Sequence, residues 1–158
     1  MQALRPHQWV KNALLLLPAL AAHVPWTEAT GTLAVLGLLS WSLVASAGYL
    51  LNDLRDLTSD RQHEVKRFRP FAAGALSVPA GLAGLVALGA TGLWIARAMS
   101  PAFAMVLEFY LILSVIYSVG LKRVPILDVL ALAVLYTTRV VGGAVLFTVP
   151  LSRWFLAF

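Results

Sequence analysis

The chain has 158 residues, 60% of them apolar and only 12% charged, with no cysteine and a net charge of +5. The mean hydropathy is +0.84, and the charged fraction is about half that of an ordinary soluble domain. A folded surface already carries as much apolar area as water tolerates. Disorder, a disulfide scaffold and a routine cytosolic domain are therefore excluded, and an integral membrane protein remains.

A bilayer core takes roughly 20 helical residues. In chain order, the first apolar segment runs from Trp9 to His23, is short, and contains Pro18. The second covers Thr32 to Leu51, the third Val78 to Ala96, the fourth Pro101 to Leu121 and the fifth Pro125 to Phe147. A sixth apolar run starts at Trp154 and reaches Phe158. The expectation is an all-α polytopic membrane bundle of about five spans plus the start of a sixth, in one domain over 1–158.

Arg5 and Lys11 precede or open the first segment, and the turn from His23 to Gly31 has no Lys or Arg. Arg55, Arg61, Lys66, Arg67 and Arg69 crowd the next connection; Arg97 stands alone in the one after; Lys122 and Arg123 are adjacent in the last. This alternation fits the positive-inside rule with a cytoplasmic N-terminus, so the basic charge marks loops at an inner membrane and not nucleic-acid binding. The competing reading of the start is a signal peptide, with Ala13 to Leu17 as its apolar part and Ala19-Leu20-Ala21 as a cleavage site. Gly81, Gly84, Gly89 and Gly92 lie in one segment, and small residues let membrane helices pack closely.

Chemistry concentrates in Asn52-Asp53-Leu54-Arg55-Asp56-Leu57-Thr58-Ser59-Asp60, directly after a long apolar run. At about 100° per residue, a continuing helix puts Asp53, Asp56 and Asp60 within roughly a 60° arc, with Asn52 beside them. Clustered carboxylates repel unless a cation sits between them. Mg²⁺ takes oxygen ligands, uses one or two protein carboxylates and completes its shell with water and phosphates, so the pattern points to a metal–diphosphate site with Lewis-acid chemistry. Mn²⁺ accepts the same ligands. The plainer alternative is a solvated acidic helix end, with Asp56 paired to Arg55 or Asp60 to Arg61. Arg61, Lys66, Arg67 and Arg69 then supply cations for remaining phosphate oxygens, or simply anchor the loop. His63 is a metal ligand or acid on one reading and a plain loop residue on the other.

Two charges lie inside spans, where they are costly and point to function. Glu108 is in the fourth segment and Arg139 in the middle of the fifth. They either pair with each other, or Arg139 faces a cavity and holds a lipid phosphate. Asp128 either steadies Lys122 and Arg123 or acts as a base.

The acidic stretch matches the N-D-x-x-D-x-x-x-D signature of the UbiA superfamily of intramembrane prenyltransferases. Its continuation, Asp60-Arg61-Gln62-His63-Glu64-Val65-Lys66-Arg67-Phe68-Arg69-Pro70-Phe71-Ala72-Ala73-Gly74, resembles the family's D-R-x-H-x-x-K-R-x-R-P-x-A-x-G. Arg5-Pro6-His7-Gln8-Trp9-Val10-Lys11-Asn12 resembles R-P-x-Q-W-x-K-N, and Tyr117 to Arg123 resembles Y-S-x-x-L-K-R. Together these matches span nearly the whole chain. Within the family, Arg139-Val140-Val141-Gly142-Gly143 and Pro150-Leu151-Ser152-Arg153-Trp154-Phe155-Leu156 resemble the polyprenyl-phosphate phosphoribosyltransferases.

The resemblance implies a Mg²⁺-dependent transferase that uses a diphosphate-bearing small molecule and a polyprenyl lipid for cell-wall precursors. Carried over residue by residue, Asp53, Asp56 and Asp60 are catalytic, with Asn52, Asp56 and Asp60 on the metal. Lys66, Arg67, Lys122, Arg123 and Arg139 bind substrate, and Arg5 and Lys11 line the same mouth. Prenyl transfer from a polyprenyl diphosphate is the alternative donor chemistry. Family members have further helices and a second acidic motif, both absent here, so an N-terminal portion or an inactive truncated relative is expected. A homo-oligomer is compatible with the pattern. A transporter subunit, with Glu108, Asp128 and Arg139 along a path, is the competing class, but no internal repeat supports it.

Overall fold

The computed structural model describes residues 2–151, and these contain helices and no strand. Four helices are long and apolar enough to cross a membrane: α2 (Glu28–Arg55), α4 (Val78–Met99), α5 (Pro101–Val119) and α6 (Pro125–Leu146). Two short helices, α1 (Leu17–Ala21) and α3 (Leu57–Gln62), complete the α set. The chain is thus a multi-pass membrane protein. The sixth apolar run from Trp154 and the Ser152–Leu156 part of its motif lie outside the described residues.

Local sequence explains the helix boundaries. Thr27 and Thr30 form a reciprocal capping box at the start of α2, which satisfies amides left free in the first turn. Ser77 and Ser100 cap α4 and α5, each followed by a proline in the first turn, where the missing N–H costs nothing. Pro125 opens α6. Ser100 is the whole link between α4 and α5, so these two helices fold back directly on each other.

The expected first span takes a different form. Pro6–Leu16 is a 3₁₀ helix and only Leu17–Ala21 is α-helical. The reason lies in its contacts. In a 3₁₀ helix, residues three apart are stacked in line, and Trp9, Asn12 and Leu15 form such a line. Trp9 Nε1 donates to Ser46 Oγ at 3.1 Å, and Asn12 Nδ2 donates to Ser42 Oγ at 2.9 Å. Leu15 is fully buried between α2 and α6. The two α2 serines are one helical turn apart, so the segment lies along α2 like a strap. Its greater rise lets these few residues reach about 30 Å. Its side chains are built into the core of the bundle.

The core itself is aromatic. Trp41 of α2 meets Phe103 and Tyr110 of α5 with ring centroids 5.9 and 5.2 Å apart. Val44, Leu107 and Leu15 fill in around them. Small residues permit the close approaches: α4 crosses α2 at Gly92, where an added Cβ would stand 2.8 Å from the Ser40 carbonyl oxygen. At Gly143 of α6 it would overlap the Leu15 backbone. The outer faces carry exposed Val86, Trp94, Met105, Ile112, Ile126 and Val129, which suits lipid contact.

Candidate active site

The C-terminal ends of α2 and α5 and the start of α6 lie at one end of the bundle with the basic Arg61–Arg69 loop. A cavity of about 370 Å³ opens there, between the strap, α2, α5 and α6. Six cationic side chains line it, from Arg5, Lys11, Lys66, Arg69, Lys122 and Arg139, against one carboxylate, Asp56. Tyr49, Tyr110, Tyr117 and Tyr136 supply aromatic walls.

The four acidic-stretch residues do not share one face. The chain breaks helical geometry at Asp56, which ends α2 and starts α3. The group divides in two, because residues four apart (Asn52 and Asp56) and seven apart (Asp53 and Asp60) share a helix face. Asn52 and Asp56 face the cavity. There Lys122 Nζ donates to both Asp56 carboxylate oxygens at 2.7 Å and to Asn52 Oδ1 at 3.0 Å. Asp53 and Asp60 are buried on the other side, beneath Arg69, which reaches Asp60 at 2.7 Å and Asp53 at 3.3 Å. Arg5 completes the second group, 2.5 Å from Asp53 with its guanidinium 5.1 Å from the Tyr49 ring. Arg5 holds a left-handed backbone, φ 49°, a conformation that costs energy in a non-glycine residue and persists only when its surroundings hold it. The pairings with Arg55 and Arg61 do not form.

Asn52 and Asp56 suit a small hard cation, being two oxygen ligands that face a cavity. Among the described residues, no three His, Asp or Glu side chains converge as a complete metal cage. Any divalent ion here would take its remaining ligands from water and substrate.

Deeper in the cavity, Arg139 is buried but has no carboxylate partner among the described residues. Its Nε donates to Asn12 Oδ1 at 3.1 Å, Nη1 to the Leu135 carbonyl at 2.7 Å and Nη2 to Tyr110 Oη at 3.0 Å. The guanidinium lies between the Tyr110 and Tyr136 rings, at 4.9 and 5.3 Å, and Lys11 approaches Tyr136 at 5.8 Å. Of the two readings of Arg139, the pair with Glu108 does not form and the side chain lines the cavity. Glu108 faces α4 and binds Arg97 on the outer surface, because the one-residue link after α4 brings those two together. Asp128 accepts a 2.8 Å hydrogen bond from Tyr117 and touches neither Lys122 nor Arg123. Arg67 stacks on Phe68 at 4.9 Å and is exposed. Arg123 is exposed too, and neither residue lines the cavity. His63 is exposed, and its Nδ1 accepts from the backbone amide of Val65 at 3.2 Å.

The UbiA prenyltransferase family model matches residues 13–158. This chain belongs to the UbiA prenyltransferase family. Among relatives, a decaprenyl-phosphate phosphoribosyltransferase of Mycobacterium tuberculosis is 41% identical, over 98% of this chain and 53% of the relative. One of the same name from Corynebacterium glutamicum is 38% identical, over 98% of this chain and 48% of the relative. Nodulation protein NoeC of Azorhizobium caulinodans is 39% identical, over 99% and 51%. The chain spans about half the length of these relatives.

The UbiA motifs acquire distinct jobs in the structure. In the N-terminal motif, Trp9 and Asn12 tie the strap to α2, while Arg5, Gln8 and Lys11 face cavities. Sequence reading gave no site role to Asn12, Tyr110 or Tyr136, and offered Arg69 as a phosphate contact, not as the bridge between Asp53 and Asp60. The three-residue spacing of Trp9, Asn12 and Leu15 was a signal for the strap. Nothing local marked Tyr110, which meets Arg139 from 29 residues away.

Proposed function

We propose that this chain carries the substrate cavity of a Mg²⁺-dependent UbiA transferase at the cytoplasmic side of the inner membrane. The reaction is transfer of phosphoribose from phosphoribosyl diphosphate to a polyprenyl phosphate. The carrying observation is the charge of the cavity, whose lining has six cations against one carboxylate. Such a site favours two anionic substrates over a neutral aromatic acceptor, and the names of the relatives point the same way.

On this reading Asn52 and Asp56 hold the metal. When bound, it neutralises charge on the departing diphosphate. Lys66, Arg69 and Arg5 bind the donor's outer phosphate oxygens, since guanidinium forks and an ammonium suit phosphate. Arg139, with Lys11 nearby, holds the lipid phosphate deeper in the cavity. A lipid phosphate oxygen then bonds to the anomeric carbon as the carbon–oxygen bond to diphosphate breaks. Asp53 and Asp60 serve this site by fixing Arg69 and Arg5.

The test is product analysis on the full-length protein in membranes, supplied with decaprenyl phosphate and phosphoribosyl diphosphate. Phosphoribosylated lipid is expected, with turnover lost in Asp56→Ala while membrane insertion is unchanged. Undiminished turnover in that variant would remove Asp56 from the site. Product only with a polyprenyl diphosphate donor would instead establish prenyl transfer.

A further inference from the structure

We propose that Lys122 is an internal counter-ion that occupies the Asn52–Asp56 site without metal and is displaced when a divalent cation binds. This rests on the metal reading above and goes beyond it, because it gives Lys122 two positions with different partners.

The geometry is that of a filled cation site. An ammonium has three donors and no acceptor. Lys122 places its nitrogen on three oxygen atoms, both oxygens of Asp56 and Oδ1 of Asn52. These are the two side chains facing the cavity that suit a divalent ion. The contact is tertiary, 66 and 70 residues apart in sequence, so the fold brings it about. A second cation cannot share these oxygens at contact distance without like-charge repulsion in a partly buried site.

Lys122 is also built to move. It sits in the single 3₁₀ turn Leu121–Arg123 between α5 and α6, directly after Gly120. Its side chain is partly exposed, and its long stem can redirect a compact charge. Arg69, by contrast, is pinned on two buried carboxylates. The same cavity is lined by Lys66 and Arg69, so a displaced Lys122 joins the cations that face the diphosphate. Metal loading thereby adds a cation to the anion site, and the two ligands are coupled in both directions.

The experiment uses the full chain in detergent without donor. Free Mn²⁺ is measured by electron paramagnetic resonance during titration. Lys122→Gln is expected to bind Mn²⁺ about tenfold more tightly, since removing a competing charge at contact distance has at least that effect. Lys122→Arg is expected to stay near the parent, and Asp56→Asn to lose binding. In the unaltered protein, acylation of Lys122 read by mass spectrometry is expected to rise several-fold when Mg²⁺ is added. Equal or weaker Mn²⁺ affinity in Lys122→Gln, or Lys122 labelling that ignores Mg²⁺, overturns the counter-ion role and leaves the metal reading standing. Absence of Mn²⁺ binding by the parent and Lys122→Gln alike overturns this inference, since the metal then enters only together with substrate phosphate.

Discussion

At the scale of single residues, the decisive contrast is between Arg69 and Arg139. Arg69 neutralises two buried acids, Asp53 and Asp60. Removing one partner of a buried ion pair leaves charge without compensation and is strongly destabilising. Arg69→Met is therefore expected to cost on the order of 3 kcal/mol, seen as a lower melting temperature in detergent. Adding Asp60→Asn should recover most of that loss, because Asp53 keeps Arg5 as its partner and the stranded charge at Asp60 disappears. No recovery would mean that Arg69 acts through packing. Arg139 is different, since its partners are neutral oxygens and aromatic faces. Arg139→Met is expected to raise KM for the lipid phosphate at least tenfold with little change in KM for the donor. An equal rise in both would deny it a site of its own.

At the scale of elements, the strap is the unusual part. Its 3₁₀ winding aligns Trp9, Asn12 and Leu15 on α2, and α6 closes over it at Gly142 and Gly143. The strap carries Arg5, Gln8 and Lys11 to the cavity, so its seating controls three cavity residues at once. Gly143→Leu is expected to destabilise the protein by roughly 3 kcal/mol, the upper end for overpacking, because the new side chain meets Leu15 backbone that cannot swing away. Loss of activity should accompany the lower melting temperature. An unchanged melting curve would show that strap and α6 separate more easily than their contact implies. Sequence hydropathy identified this segment as apolar but could not distinguish its winding, since a short apolar run is read the same way in either helix.

At the scale of the whole molecule, charge separates by position. The outer helix faces carry bulky apolar residues, whereas six of the twelve Lys and Arg side chains line one cavity. Exposed charges are screened by salt and buried ones much less. The KM for an anionic donor reaching the mouth is expected to rise several-fold from about 0.05 to 0.5 M salt. The effect of Arg139 on lipid affinity should persist across that range. A donor KM indifferent to salt would argue that the mouth cations are fully engaged with acids.

The sequence by itself determined the membrane class, the spans now seen as α2, α4, α5 and α6, and the gathering of acidic and basic motifs where those spans end. Each of these follows from local composition: about 20 apolar residues suffice to define a span, and charged residues must gather where the spans end. The motifs of the acidic stretch and the strap were legible for the same reason, being contiguous. Only the tertiary structure decided the partners. Whether Asp56 pairs with Lys122 or Arg55 depends on a turn 66 residues away, which helical periodicity cannot foresee. Arg139 finds Asn12 and Tyr110, and Glu108 finds Arg97, because packing of small residues sets which helix faces meet. Ion pairs and hydrogen bonds act over a few ångströms, so only the assembled fold could assign them.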